Sequence, residues 1–328
     1  MTTPPAASAT AADARESAAD PVVRAAWLYY AEAMTQAQIA RAMGLRRARV
    51  IELLADARES GLVRVRIHGK SRAQVKLEEA LVARFGLDEA VVAPAPASQD
   101  AAALIVGHAA GTWLGDQLRD GLAIAIGWGA TLHMALKAVG ERELARVDVV
   151  SLLGGIAHSR TITPATVARR LADALGADCY QLTAPLVVED AAMVAALWAE
   201  PGLAELRRRA RRADLALVSV GDVSREATLF RESLLPAGAI ASLRRTGAVG
   251  DVLCRFLDRE GRPVDHEINR RTIAVGLDDL ARVPRVVVAS GGRSKATALR
   301  AALQALKVAV LITDESAARE LLSGPPRP

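Results

Sequence analysis

Apolar positions in the first seventy residues recur at helical spacing in three successive stretches. Pro21 can open a helix in which Val22, Val23, Ala26, Trp27 and Tyr30 share a face. Met34-Thr35 interrupts it, and Thr35 followed three residues later by Gln38 has the form of a capping box. The spacing predicts a second helix over 36–43 that buries Ile39, Ala40 and Met43 and stops at Gly44, with Leu45 as an apolar plug in the turn. A third helix is predicted over about 46–60, its core stripe Val50, Ile51, Leu53, Leu54 and Ala57 and its stop Gly61. Residues 62–67 then alternate like a short strand.

Beyond residue 75 the pattern becomes helices alternating with short apolar runs. A helix over about 75–85 leads to a strand over 89–93, and a second over 101–118 carries Gly107, Gly111 and Gly115 along one side, a spacing suited to close packing. Further strands are predicted over 122–126, 147–151, 215–220, 285–289 and 308–312, each followed by a Gly-containing turn or polar cap and usually a helix. Continuous Val/Ile/Leu runs alternating with helices imply an α/β fold with a mostly parallel, Rossmann-like sheet covered on both faces. Ligands in such sheets bind beyond the carboxyl ends of the strands.

Composition and charge sharpen this division. The chain has 328 residues, 51% hydrophobic and 24% charged, as in a folded protein with a sizeable core. No apolar run is long enough for a membrane span, and the first twenty residues, rich in Ala, Thr, Ser and Pro, read as a disordered tail without the form of a secretory signal. Residues 21–70 carry nine cations and four anions, a surplus equal to the net charge of +5 of the whole chain. The sequence therefore predicts a tail over 1–20, a basic head over 21–70 and an electrically neutral body over 71–328. Cys179 and Cys254 stand far apart, in the manner of reduced thiols in a cytoplasmic protein, and the five histidines lack zinc-ligand spacing.

A capped helix, a glycine turn and a longer helix with cations at its start form a helix-turn-helix, a module for double-stranded DNA. Arg46, Arg47 and Arg49 would face base edges, where arginine can bond guanine bidentately; Thr35 and Gln36 begin the preceding helix, and Arg64 and Arg66 lie on the strand like a wing on phosphates. The competing reading of these arginines is an ordinary solvated face. Aromatic residues make up only 3%, which disfavours a base-stacking surface for single strands.

Two strand ends of the body carry anion-binding chemistry. Gly127, Gly129 and Thr131 follow the 122–126 strand into a helix, where glycines admit an anion to backbone amides and a hydroxyl can assist. Ser290-Gly291-Gly292-Arg293-Ser294-Lys295 follows the 285–289 strand and presents Lys295, which can neutralise a phosphate or be simply solvated. Gly154-Gly155 with Thr161 and Thr163, and Gly221-Asp222, mark two further ends. The third glycine of a dinucleotide fingerprint and the P-loop pattern are both missing, so no nucleotide cofactor and no metal is expected. The arginine run 207–212 reads as a solvated helix face.

The segments Arg24-Ala-Ala-Trp-Leu-Tyr-Tyr, Thr35-Gln-Ala-Gln-Ile-Ala and Gly61-Leu-Val-Arg-Val-Arg-Ile resemble the N-terminal signature of SorC-type sugar-binding transcriptional regulators. The body is similar to that family at Gly127-Trp-Gly-Ala-Thr-Leu, Gly247-Ala-Val-Gly-Asp, Phe256-Leu-Asp, Gly261-Arg-Pro-Val-Asp and Leu311-Ile-Thr-Asp. The resemblance implies an effector domain related to sugar-phosphate isomerases, homo-oligomers (dimers or tetramers) on palindromic operators, and a phosphorylated sugar or polyol as effector. It implies that Gly127, Gly129 and Thr131 hold the phosphate, that Gly250, Asp251 and Lys295 close the pocket, and that Asp222 lies near the sugar. The chain departs from the pattern at Leu152-Leu153, where relatives often carry a polar residue, and in its triple arginine. A sugar-phosphate isomerase or deaminase, with Asp222 or Asp251 as base, is the alternative; the regulator, which is not an enzyme, is the favoured reading.

Overall fold

The computed structural model describes residues 20–63, 69–156, 162–231, 234–236 and 238–324, without the side chains of 99 and 100. These fall into two compact units that divide between residues 68 and 69.

The first unit is three helices, α1 (Pro21–Tyr30), α2 (Gln36–Met43) and α3 (Arg47–Glu59). Asp20 caps α1, its carboxylate accepting the Val22 N–H at 2.8 Å. Thr35 and Gln38 close the expected capping box, and Gly44 ends α2 in the left-handed region at φ 66°. Ala25, Ile39, Ala40, Val50, Leu53 and Leu54 form the small core, with Val22, Leu28, Met43 and the plug Leu45 packed against it. Two faces differ from the sequence reading. Val23, Trp27 and Tyr30 on α1 and Ile51 on α3 point outward, Trp27 being 66% exposed, because Ala25, Ala26 and Leu28 turn a different side of α1 to the core. The strand expected over 62–67, with Arg64 and Arg66, lies outside the described residues beyond Val63, as do Thr161 and residues 1–19 of the expected tail.

The second unit opens with α4 (Arg72–Phe85), boxed by Ser71 and Gln74. The chain continues through β1 (Glu89–Ala93), α5 (Gln99–Gln117), β2 (Ala123–Ile126), α6 (Ala130–Val139), β3 (Asp148–Ser151), α7 (Pro164–Leu175) and β4 (Asp178–Tyr180). Then follow α8 (Ala191–Ala199), α9 (Pro201–Arg211), β5 (Leu215–Val218), β6 (Val220–Asp222), α10 (Thr228–Arg231) and α11 (Gly238–Arg245). The last part comprises β7 (Gly250–Val252), β8 (Arg255–Leu257), α12 (Glu267–Arg271), α13 (Leu277–Leu280), β9 (Arg285–Ala289), a 3₁₀ turn (Arg293–Lys295), α14 (Ala296–Ala305), β10 (Val308–Asp314) and α15 (Glu315–Ser323).

Seven strands form one parallel sheet in the order β1-β10-β9-β5-β2-β3-β4. Every residue of β5 and β10 is buried, which requires cover on both faces. From β2 the chain winds outward through β3 to β4; from β5 it winds the other way through β9 to β10. β2 and β5 are neighbours, so the connections diverge at their carboxyl ends and leave the crevice where doubly wound sheets bind ligands.

The run expected as one strand over 215–220 breaks at Ser219, and β6 leaves to join β7 and β8 in a separate antiparallel sheet. The glycine ridge of α5 packs on α6 as its spacing implies. A Cβ on Gly111 would stand 2.0 Å from the Ala135 carbonyl oxygen, and one on Gly107 2.6 Å from that of Thr131. The arginine run on α9 is more than a solvated face: Arg207 and Arg211 each place Nε on one oxygen of Asp279, at 2.7 and 2.5 Å, and Asp279 is 2% exposed. No described helix is long and apolar enough to cross a membrane.

Candidate functional site

The crevice between β2 and β5 opens into a pocket lined by residues that include Gly129, Thr131, Ser219, Asp251 and Lys295. Three of the chain segments that build its wall follow strands of the large sheet. After β2 comes Gly127-Trp128-Gly129, with the first turn of α6. Gly129 sits at φ 123° and caps α6 without a side chain, leaving the helix amides facing the pocket with their partial positive charge. Thr131 in that turn is buried. After β5, Ser219 donates its hydroxyl to the Trp128 carbonyl at 2.6 Å, and its Oγ would stand 2.8 Å from a Cβ on Gly129. The third segment follows β9 and carries Lys295.

Lys295 belongs to the 3₁₀ turn whose geometry is set from β10. Asp314, fully buried, accepts the Gly292 N–H on one oxygen and the Ser316 and Ala317 N–H groups on the other. Ser290, also buried, donates to the Val220 carbonyl at 3.0 Å and ties the start of the same turn to β6. Burial lowers the pKa of Lys295, while Asp222 and Asp251 raise it.

Asp251 lines the pocket from β7. Its Oδ2 accepts the Cys254 N–H at 3.0 Å, and a Cβ on Gly221 would stand 2.2 Å from its Oδ1. Burial pushes its pKa from 3.8 to about 7, against the lowering influence of the Cys254 amide and Lys295; Asp222 raises it slightly. Asp222 itself accepts the Ser224 hydroxyl at 2.7 Å. The turn between β7 and β8 is unusual, because Leu253 and Cys254 hold φ of 52° and 61° without being glycine. Two-residue hairpin turns of this type favour Asn-Gly, so the pair stores strain beside the pocket, and Leu253 lines it. Burial raises the pKa of the Cys254 thiol far above its ordinary value.

Of the expected effector residues, Gly129, Thr131, Asp251 and Lys295 line this one pocket. Gly127, Gly250 and Asp222 adjoin lining residues along the chain and do not line the pocket themselves. Gly250 allows close packing of β7 on α14, since its Cβ would lie 2.3 Å from that of Ala298. The Gly154-Gly155 turn lies elsewhere: a Cβ on Gly154 would come within 2.7 Å of the Ala184 and Pro185 carbonyls, a packing contact. Sequence reasoning missed Ser219, Leu253 and the supporting role of Asp314. Only Asp314 carried a signal, as the polar end of a long buried strand.

In the first unit, Arg46 caps α3 and Arg47 opens it, both exposed. Arg47 Nε approaches Gln36 Oε1 at 3.4 Å, so the start of α3 and the boxed start of α2 with Thr35 present one polar surface. Arg49 is paired with Glu52 at 2.8 Å, both more than half exposed, and is less available than its neighbours.

A helix-turn-helix unit joined to a parallel α/β unit with an anion-favouring pocket at its switch point defines a ligand-responsive DNA-binding protein. The comparisons agree. The family described as "Putative sugar-binding domain" matches residues 70–323. The erythritol catabolism regulatory protein EryD of Brucella abortus is 31% identical over 96% of this chain and 99% of its own. The transcriptional regulator LsrR of Klebsiella pneumoniae is 35% identical over 92% of each chain. The full-length sorbitol operon regulator SorC of Klebsiella pneumoniae superposes with a TM-score of 0.69 at 25% identity, covering 95% of this chain and 100% of that one. The chain belongs to the SorC family of sugar-binding transcriptional regulators.

Proposed function

We propose that the chain is a cytoplasmic, homo-oligomeric regulator whose affinity for a two-fold symmetric operator is set by a phosphorylated sugar or polyol in the β2/β5 crevice. The observation that carries this reading is the meeting of the α6 amides and Thr131 with Lys295 in one pocket that also holds Asp251. The amides and ammonium suit a phosphate, and the carboxyl suits hydroxyls. Thr35, Gln36, Arg46, Arg47 and Arg49, with Arg64 and Arg66, supply the DNA contacts. Erythritol and sorbitol appear in the names of two relatives, which favours polyol phosphates as the first ligands to try.

The test is fluorescence anisotropy of the full chain on operator fragments taken from beside its own gene, with tetritol, pentose and hexose phosphates added in turn. A steep salt dependence and a shift in affinity with one of these ligands are expected. An unchanged shift after Lys295→Met would remove the pocket from the account. Asp251, a carboxyl titrating near neutrality, also suits an acid–base catalyst. Following the same ligands by NMR separates the readings: consumption of any of them identifies an enzyme.

A further inference from the structure

The pocket is built for an anion yet is not simply cationic. Its lining contains one ammonium, Lys295, and one carboxyl, Asp251, while Asp222 acts on both from the adjoining strand. Arg231 on α10 acts electrostatically on Lys295, and Asp251 acts in the same way on the Cys254 thiol of the hairpin turn, with Arg255 next to it. A phosphate dianion entering beside two ionised carboxylates meets repulsion that the α6 amides and Lys295 must overcome. Asp251 has the means to remove that repulsion. Among the described residues, only one of its oxygens has a hydrogen-bond donor, the Cys254 amide, and the other lies over Gly221 in the pocket wall. Protonated there, the carboxyl loses its charge and gains an O–H that can donate to the ligand, without giving up the contact that holds the Leu253-Cys254 turn.

We infer that this pocket takes its anionic effector together with one proton, held on Asp251, so that effector affinity falls as the medium becomes more alkaline. The inference rests on the effector reading above and adds the proton to it. The direction follows from linkage: the liganded state holds more protons than the free one, so raising the pH above the range where free Asp251 titrates opposes binding. The position of that range, about 7, places the response at physiological pH.

The experiment uses titration calorimetry on the full chain with sulfate, which stays a dianion across the range, and with glycerol 3-phosphate. Buffers of different ionisation enthalpy report the proton uptake. For sulfate we expect uptake approaching one proton at about pH 8 and an affinity falling up to about tenfold per unit above about pH 7. Asp251→Asn, which keeps an acceptor for the Cys254 amide, should bind sulfate with no such dependence, its fold checked by circular dichroism. Equal sulfate affinity for the native chain between about pH 5.5 and 8.5 overturns the proton proposal and leaves the pocket standing. An unaltered pH dependence in Asp251→Asn overturns it too, since another group then carries the proton. Binding of neither anion at any pH removes the effector site and the proposal together.

Discussion

Asp314, the last residue of the fully buried strand β10, accepts the backbone N–H of Gly292, three residues before Lys295. Its other oxygen caps α15. One carboxylate thus fixes both the loop that presents the pocket's cation and the helix that follows. A Cβ on Gly291 would stand 2.2 Å from Asp314 Oδ2, so the loop approaches as closely as glycine permits.

Asp314→Ala should therefore lose more than a helix cap. Hydrogen bonds to a charged group contribute about 1.5–3 kcal/mol each, and several are lost together, so a destabilisation of about 2–4 kcal/mol is expected in urea unfolding. Anion binding should weaken in the same variant, because the 3₁₀ turn is released. Asp314→Asn, which can still accept the Gly292 amide, should recover part of both. Full anion affinity in the folded Asp314→Ala chain would show that Lys295 is positioned by something else.

The legible parts of this molecule are those encoded by local signals. Thr35, Gln38 and Gly44 specify the start and stop of α2 on their own, and both ends match the structure. The long apolar runs 285–289 and 308–312 are strands because β-branched residues buried on both faces have few alternatives. The second sheet escaped because β6, β7 and β8 are three residues each, too short for alternation to register. Ser219, the one polar residue in the 215–220 run, gave no warning that the chain turns there. In the site, glycine and lysine at strand ends were readable from the rule for parallel sheets. Leu253 was not, since its place follows from a hairpin that the sequence pattern does not reveal. The outward face of Trp27 was also hidden: a helix with apolar residues on several sides does not declare which side meets the core.

The contact of α5 with α6 gives a stability prediction with a functional consequence. Gly111→Ala inserts a methyl where a carbonyl oxygen stands 2.0 Å away, and helices this close separate as a unit. Overpacking of this kind costs about 1–3 kcal/mol or more. Because Gly107 on the same ridge sits against the Thr131 carbonyl, Gly107→Ala should both destabilise the chain and shift the first turn of α6. Gly115→Ala, with 3.2 Å to the Val139 carbonyl, should be the mildest of the three. Denaturant midpoints measured side by side test the order.

Asp251 makes the stability of the body depend on pH in a defined direction. Its pKa is about 7 in the folded chain against 3.8 ordinarily, so between those values the folded state binds the proton that the unfolded state releases. The contribution is present at low pH and is lost as pH rises through about 7. The native chain should therefore lose more stability between about pH 6 and pH 8 than Asp251→Asn does, whatever the variant's absolute stability. Urea midpoints at the two pH values decide this; parallel changes in the two proteins would contradict a neutral buried carboxyl.

The start of α3 offers a graded test of the DNA surface. Arg46 and Arg47 are exposed without a described acidic partner, whereas Arg49 is engaged by Glu52 at 2.8 Å. Arg47→Ala should weaken operator binding by about 1–3 kcal/mol if it reads a base, or lower the salt slope by about one if it contacts a phosphate. Arg49→Ala should cost less, because part of its charge is already answered. Glu52→Gln should then strengthen binding by freeing Arg49, a gain that vanishes when Arg49→Ala is added. Anisotropy titrations at several salt concentrations measure all four proteins, and a larger loss for Arg49→Ala than for Arg47→Ala would mean that the Glu52 pair breaks on DNA.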